Sequence, residues 1–503
     1  MDFLTVILTI FAIGMALCFY NKNRNVFKVL DIPHDPPIPI LGNMAPCLLR
    51  KMNVSQLIEK LYNAYPEAKY FGLYDFQTPT IVIRDPEIIK SVAIKNFEIF
   101  PDHRGFTDVR LDPLFGISLF SLKGDSWRDM RNILSPSFTS SKMKIMFNLI
   151  MECSVKFTDA LLERSKDKQY IANLKDVFTR LSADVISSCA FGISVDSMKD
   201  PENKLYVIGR KATDFEGILS LKFLLIRNCR MISRLLGVSI FSKSSNRFFT
   251  NVISSNIKTR KEKGITRADF LQMLIEAKDK NNDNRKLSLQ EIAANVVLFF
   301  FGGLDTVSTV VCFIAYEIAV NPKVQEKLHE EIDAVLKGCN GQSTYNEINN
   351  MPYLDAVISE TLRLYPPVGF IDRVCNRKFE LPPVFPGKKS VTVEPGMVIY
   401  FPIFALQHDR NNYENPEKFD PERFLGDKKV NVNSASYIPF GIGPRKCIGS
   451  RFALLEMKVM IFHLLSRCIL KPCSKTPIPI KLKRDTFTMM PEGGFWLKVA
   501  ERK

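Results

Sequence analysis

The run from Ser288 to Val320 constrains the fold most. SLQEIAANVVLFFFGGLDTVSTVVCFIAYEIAV has no proline and few charges. Ser288 and Glu291 make an S-x-x-E pattern, in which each side chain satisfies a free backbone N–H of the other and starts a helix. At ~1.5 Å per residue that helix reaches roughly 45 Å, enough to cross a whole domain. Its middle is apolar all round, so it is expected to be buried on every side. Only a large domain can surround such a rod, and a chain of 503 residues can supply one.

This apolar helix nevertheless carries Gly302, Gly303, Asp305 and Thr306. Each mid-helix glycine costs about 0.5–1 kcal/mol relative to alanine. A buried carboxylate costs more unless it is paired. Destabilising choices in a core helix point to a place where a cofactor and dioxygen crowd the backbone. A kinked helix with a satisfied threonine is the plainer alternative.

A second stretch, FGIGPRKCIG from Phe440 to Gly449, opens directly onto SRFALLEMKVMIFHLL, which has apolar residues at helical spacing. Cys447 therefore sits at a helix N-terminus, where free N–H groups and the dipole favour a thiolate. Gly441, Gly443 and Gly449 permit sharp turns and let a flat ligand approach the backbone. Arg445 offers a fixed fork for a carboxylate. The set suits a haem iron held from one side by a cysteinate, with an arginine on a propionate. A buried cysteine in a glycine-rich loop is the alternative.

Smaller patterns surround these two. Trp127 and Arg131 lie four apart on one helix face, which suits either a surface cation–π pair or a joint role. In SETLRLYPP, Glu360 and Arg363 lie three apart and can pair, and FDPERF with Arg423 follows. Residues 70–86 hold short β-like runs, YFGLY and TIVIRDP, and IPIKLKRD and GFWLKVA near the C-terminus alternate as strands. Beyond Pro86 helical patterns dominate. The expectation is a mainly α fold with a small β-rich part.

Phe3 to Tyr20 is uncharged. Eighteen helical residues span about 27 Å, close to the ~30 Å hydrocarbon layer. No basic residue precedes this run and no A-x-A site closes it, so an uncleaved anchor over 1–20 is expected rather than a signal peptide. Lys22, Arg24 and Lys28 follow it and keep the rest of the chain cytosolic. Residues 21–44, with Pro33, Pro36, Pro37 and Pro39, read as a stiff basic and proline-rich hinge. Residues 45–503 read as the catalytic domain.

The net charge of +16 allows nucleic acid, an anionic membrane or an acidic protein partner. No nucleic-acid-binding pattern is present, so nucleic acid is not expected. Part of the excess lies in residues 217–261, with nine basic residues and no acidic one. They form either core helices with a solvated face or an element dipped into a membrane surface. Eleven cysteines without a C-x-x-C pair fit reduced thiols rather than a disulfide framework, and five histidines without H-x-x-x-H give zinc little support.

FGIGPRKCIG matches the haem-binding signature F-x-x-G-x-R-x-C-x-G through Phe440, Gly443, Arg445, Cys447 and Gly449, and the whole chain resembles a microsomal cytochrome P450. GGLDT resembles the family's A/G-G-x-D/E-T motif, with Gly302 where alanine is common. Phrases such as DPLFGISLFSLKGDSWRDMRNILSPSFTSSKMK look like the insect xenobiotic-metabolising branch. The resemblance implies a cytochrome P450 fold with one buried haem b. It implies Cys447 as the iron ligand, and Trp127, Arg131, Arg373 and Arg445 at the haem propionates. Phe440 would pack beneath the haem, Asp305 and Thr306 would manage protons, and Glu360, Arg363 and Arg423 would form a structural network.

The implied activity is monooxygenation of lipophilic small molecules, such as plant toxins, insecticides or endogenous lipids. Electrons would come from NADPH through a separate cytochrome P450 reductase, since the chain has no G-x-G-x-x-G of its own, and cytochrome b5 is a further candidate partner. Arg128, Lys142, Lys144 and Lys446 are candidates for the docking face. Residues 100–120, 205–245, 366–373 and 484–493 would shape the pocket. The implied location is the endoplasmic reticulum membrane, with membrane lipid as a contact. Two rivals from other classes are a peroxide-using thiolate-haem isomerase or dehydratase, and a membrane-tethered haem or lipid-binding protein without catalysis.

Overall fold

The computed structural model describes residues 25–502 apart from 106–108, 167–169, 214–225, 229, 281–286, 340, 342, 427–433 and 487. The expected anchor at 1–20 and the first part of the basic stretch lie outside the described residues.

The β-rich part is built from strands β1 (Tyr70–Asp75), β2 (Thr78–Ile83), β3 (Ile171–Asn173), β4 (Ile371–Val374), β5 (Phe379–Leu381), β6 (Val391–Val393), β7 (Val398–Phe401), β8 (Cys468–Pro472) and β9 (Trp496–Glu501). The largest sheet runs β1-β2-β7-β4. β1 and β2 form a hairpin in register Tyr70↔Ile83 to Asp75↔Thr78, and β7 joins β2 in parallel, Thr80 opposite Val398. This sheet buries Phe71, Leu73, Ile81 and Val82 in a core of its own.

Phe27 packs in the same core. A Cβ on Gly72 would lie 2.4 Å from its ring, so glycine is what seats it on β1. The proline-rich connector continues along the β1 edge, bridging His34 to Gly72 and Gly42 to Asp75. It lacks helix around its prolines, but Val26–Val29 form a helical turn before them and Ile38 to Gly42 close a tight turn after them, so it is not extended throughout.

Of the C-terminal strands read from the sequence, β9 forms, but IPIKLKRD does not. Pro479 removes a ladder donor within it and Pro477 another just before it, and only a Leu482↔Pro491 bridge marks the segment.

The helices that build the site are α1 (Gly124–Leu134), α2 (Ser140–Ser165), α3 (Leu174–Ile186), α4 (Lys204–Thr213), α5 (Lys243–Lys263), α6 (Leu289–Val320), α7 (Pro352–Leu364) and α8 (Ser450–Arg467). The capping box at the start of α6 is present. Ser288 Oγ accepts from Glu291 N at 3.1 Å, and Ser288 N donates to Glu291 Oε2 at 2.8 Å.

α6 lies against α3, α4, α5, α7 and α8. Val307 to Ala319 are buried without a break, whereas Phe301, Gly302, Gly303, Asp305 and Thr306 are not. Ile292 to Val297 are buried as well, so the expectation of burial on every side fails only in the middle of the helix. The helix opens at the residues that chemistry singled out.

Candidate active site

Two tight turns shape the cysteine loop. Gly441 and Gly443 have φ of +77° and +76°, and Cys447 N donates to Phe440 O at 2.9 Å across the loop. A Cβ on Gly443 would meet the Ala93 carbonyl at 2.1 Å, so this glycine lets protein backbone, not a ligand, come close. Gly449 differs: its φ is −85°, and a Cβ there would meet nothing within 4 Å. Of these two, Gly449 is the one beside open space.

Cys447 is accessible, yet deep enough that burial pushes its thiol pKa up, so it faces a cleft rather than the outer surface. The Gly449 N–H, Arg131 and Lys446 act in the opposite direction and favour the thiolate. Phe440 packs half-buried against the helical core just before it.

Three arginines gather near this cleft. Arg445 donates through Nε to Pro101 O at 2.7 Å and through Nη2 to Asp102 Oδ1 and Leu122 O, both at 3.0 Å. Its guanidinium lies 4.0 Å above the buried Trp127 ring, so the cation over that ring is Arg445 and the W-x-x-x-R partner is not needed for it. Nη1 makes no hydrogen bond among the described residues. Arg373 on β4 is 1% exposed, donates to Asp372 O and Ile442 O, and leaves Nε without a partner.

Burial pushes both Arg373 and Arg445 down to about 10, and it also lowers Arg131 on α1, where the Cys447 charge acts the other way. Three cations share too little negative charge. A flat dianionic ligand with an iron for Cys447 supplies what this donor set lacks, so the residues present fit haem.

On α6, Gly302 and Thr306 share one face and Asp305, Ser308 and Thr309 share another. A Cβ on Gly302 would meet nothing within 4 Å, while one on Gly303 would meet Ile186 of α3 at 3.1 Å. The two glycines thus do different things: Gly302 opens space and Gly303 lets two helices approach. Thr306 Oγ donates to the Gly302 carbonyl. Asp305 turns the other way and pairs with Lys175 of α3, Nζ to Oδ1 2.7 Å.

Glu360 and Arg363 are fully buried. Arg363 binds both carboxylate oxygens at 2.7 and 2.9 Å, and it also donates to the carbonyls of Gln407, Pro416 and Lys418. Glu360 takes further bonds from Asp420 N at 2.9 Å and Arg423 Nε at 3.3 Å. Glu360 and Arg363 pair as their spacing allows, and Arg423 joins them.

Of the basic residues read as a docking face, Arg128 pairs with Glu98 and Asp125, Lys142 is half-buried, and Lys144 and Lys446 are exposed.

Sequence reasoning missed Asp102, Asp372 and Lys175. Asp372 accepts from Arg104 N at 2.6 Å and faces His103 Nδ1 at 3.1 Å. The signal available was FPDHRG, a polar cluster inside an apolar segment. Apolar rings crowd the same region. Phe241 and Phe301 lie 4.1 Å apart, and Phe115 lies 5.6 Å from Phe120 and 5.9 Å from Phe241.

A predominantly helical body with a small sheet, and a cysteine loop entering α8 beside a long helix opened by glycine, define the class. The chain matches the family described as Cytochrome P450 over residues 33–498 and belongs to it. It is accordingly a monooxygenase, and the family implies a haem iron cofactor. It is 42% identical to cytochrome P450 9e2 of Blattella germanica, covering 98% of this chain and 97% of that one. It is 38% identical to probable cytochrome P450 9f2 of Drosophila melanogaster, with 98% of each covered. Cytochrome P450 6k1 of Blattella germanica is 33% identical over 98% of this chain and 96% of its own length. These relatives are insect proteins, as the sequence phrases implied.

Proposed function

We propose that the protein oxygenates lipophilic small molecules at a haem held by Cys447, with electrons delivered from NADPH by a separate reductase. The observation that carries this reading is an accessible cysteine backed by a Gly449 N–H and ringed by arginines short of anions. A haem bound there supplies the activation of dioxygen, one atom of which enters the substrate while the other leaves as water. Arg131, Arg373, Arg445 and Trp127 hold its propionate side. Gly449 N–H stabilises the thiolate, and Phe440 shields it from below.

Gly302 leaves room beside the helix, and Thr306 offers a hydroxyl there. Asp305 exchanges protons with water on behalf of that side of α6. Phe115, Phe120, Phe241 and Phe301 supply an apolar, aromatic lining for substrates such as plant toxins, insecticides or fatty acids.

Residues 1–20 act as the membrane anchor and 21–44 as its hinge, with the catalytic body from 45 onward facing the cytosol at the endoplasmic reticulum. Ile232, Leu235 and Leu236, exposed by 47%, 85% and 67%, form a second contact with the membrane. Lys144 and Lys446 belong to the docking face for the reductase and for cytochrome b5.

The test is the reduced, carbon-monoxide-treated protein. A thiolate-type Soret band in the parent and its loss in Cys447→Ser are expected, together with NADPH-dependent oxygenation of lipophilic probes in the presence of reductase. A Cys447→Ser variant that oxygenates as well as the parent overturns the proposal.

A further inference from the structure

Lys175 sits in the first turn of α3, where the positive end of the helix dipole opposes a cation. Its own helix therefore gives no reason for a lysine there. The reason lies across the interface on α6. Lys175 Nζ is 2.7 Å from Asp305 Oδ1, 2.6 Å from Thr309 Oγ1 and 3.1 Å from Ser308 Oγ. An ammonium has three N–H donors for these three acceptors, with the Asp305 carbonyl oxygen a longer fourth contact at 3.4 Å. Ser308 Oγ in turn donates to Asp305 O at 3.1 Å, and Thr179 Oγ1 stands 3.4 Å from Ser308 Oγ.

Asp305 Oδ2 has no partner among the described residues. The pair reaches solvent: the side chains of Lys175 and Asp305 are 22% and 20% exposed.

We propose that Lys175 is the positioning residue for Asp305: it pins Oδ1 so that Oδ2 stays free at the partly solvated seam between α3 and α6. This rests on the reading of Asp305 as the proton-handling carboxylate. At that seam Oδ2 exchanges protons with solvent water, so the carboxylate ends each turnover as it began. Without Lys175 the carboxylate is free to rotate about χ1 and χ2, and delivery falls behind electron supply. Dioxygen then takes the two surplus electrons with two protons and leaves as hydrogen peroxide.

The test uses the full-length, haem-loaded protein with reductase and a fluorogenic alkoxycoumarin. Lys175→Met is expected to lower product per NADPH consumed about ten-fold, the scale on which an outer partner of an oriented side chain acts. It should also change the solvent isotope effect on product formation and leave the carbon monoxide spectrum as in the parent. Lys175→Arg restores most of the coupling, and Lys175→Gln, which keeps a donor, replaces the methionine variant should that one not assemble. Coupling unchanged in Lys175→Met but reduced in Asp305→Asn overturns the role of Lys175 alone. Coupling unchanged in both overturns the role of Asp305 as well.

Discussion

Two groups of arginines, both flagged by short motifs, have opposite chemistry. Around Glu360, every nitrogen of Arg363 has an acceptor, and the carboxylate is met by two guanidinium groups and a backbone N–H. Around Cys447, Arg445 keeps Nη1 unbonded, Arg373 keeps a buried Nε without a partner, and burial lowers both. A saturated network has nothing left to bind and acts as scaffold. An unsaturated one is costly for the empty protein and is repaid when an anion arrives. The degree of saturation, more than the presence of charge, separates a structural cluster from a binding one.

Breaking one member of each group sharpens the contrast. Arg363→Ala should leave the buried Glu360 with only the longer Arg423 contact and the Asp420 N–H, costing about 3–5 kcal/mol. Circular dichroism and thermal melts should show a chain that no longer folds to a haem-binding state. Arg445→Ala should instead keep the fold and weaken haem retention, by about 10–100-fold if it behaves as other outer partners of a metal site do. Haem loss to an apoprotein acceptor measures this. A fold that survives Arg363→Ala while failing with Arg445→Ala would reverse the assignment.

A smaller effect is expected at Glu456 on α8, which is fully buried with neither oxygen hydrogen-bonded. Burial pushes its carboxyl well above the usual range. The folded protein thus binds this proton more tightly than the unfolded chain. Stability is full below the ordinary carboxylate pKa and falls as pH rises through the raised folded-state value. Glu456→Gln should melt higher than the parent at pH 8 and equal to it near pH 4; an equal advantage at both pH values would remove the titration from the explanation. The smallest effect is expected from Lys446→Glu together with Lys144→Glu, which should slow NADPH-driven turnover at low salt, lose that effect at high salt, and leave the haem spectrum unchanged.

Contacts set by local spacing were legible in the sequence. The Ser288–Glu291 box and the Glu360–Arg363 pair lie three residues apart, and the structure contains both. Contacts closed by the fold were not. Arg445 meets Asp102 across 343 positions and Lys175 meets Asp305 across 130, and no periodicity carries such information. The same limit explains the glycines. Their presence in the cysteine loop was plain, but the left-handed φ of Gly443 and the approach of Ala93, against an ordinary φ and open space at Gly449, are visible only in the fold. The failed strand near Pro477 and Pro479 is a different case, because the alternation was real and the missing N–H donors outweighed it.

The neighbours Gly302 and Gly303 face different evolutionary futures. A methyl group at 303 comes within 3.1 Å of Ile186, which must shift by a few tenths of an ångström to admit it, so that position is constrained by helix packing. At 302 the same methyl strikes no protein atom and favours the helix by about 0.5–1 kcal/mol. Drift between glycine and alanine there is open in both directions, and its only price is a change in which molecules fit. The range of molecules accepted can change at that one codon without first having to rescue a weakened fold.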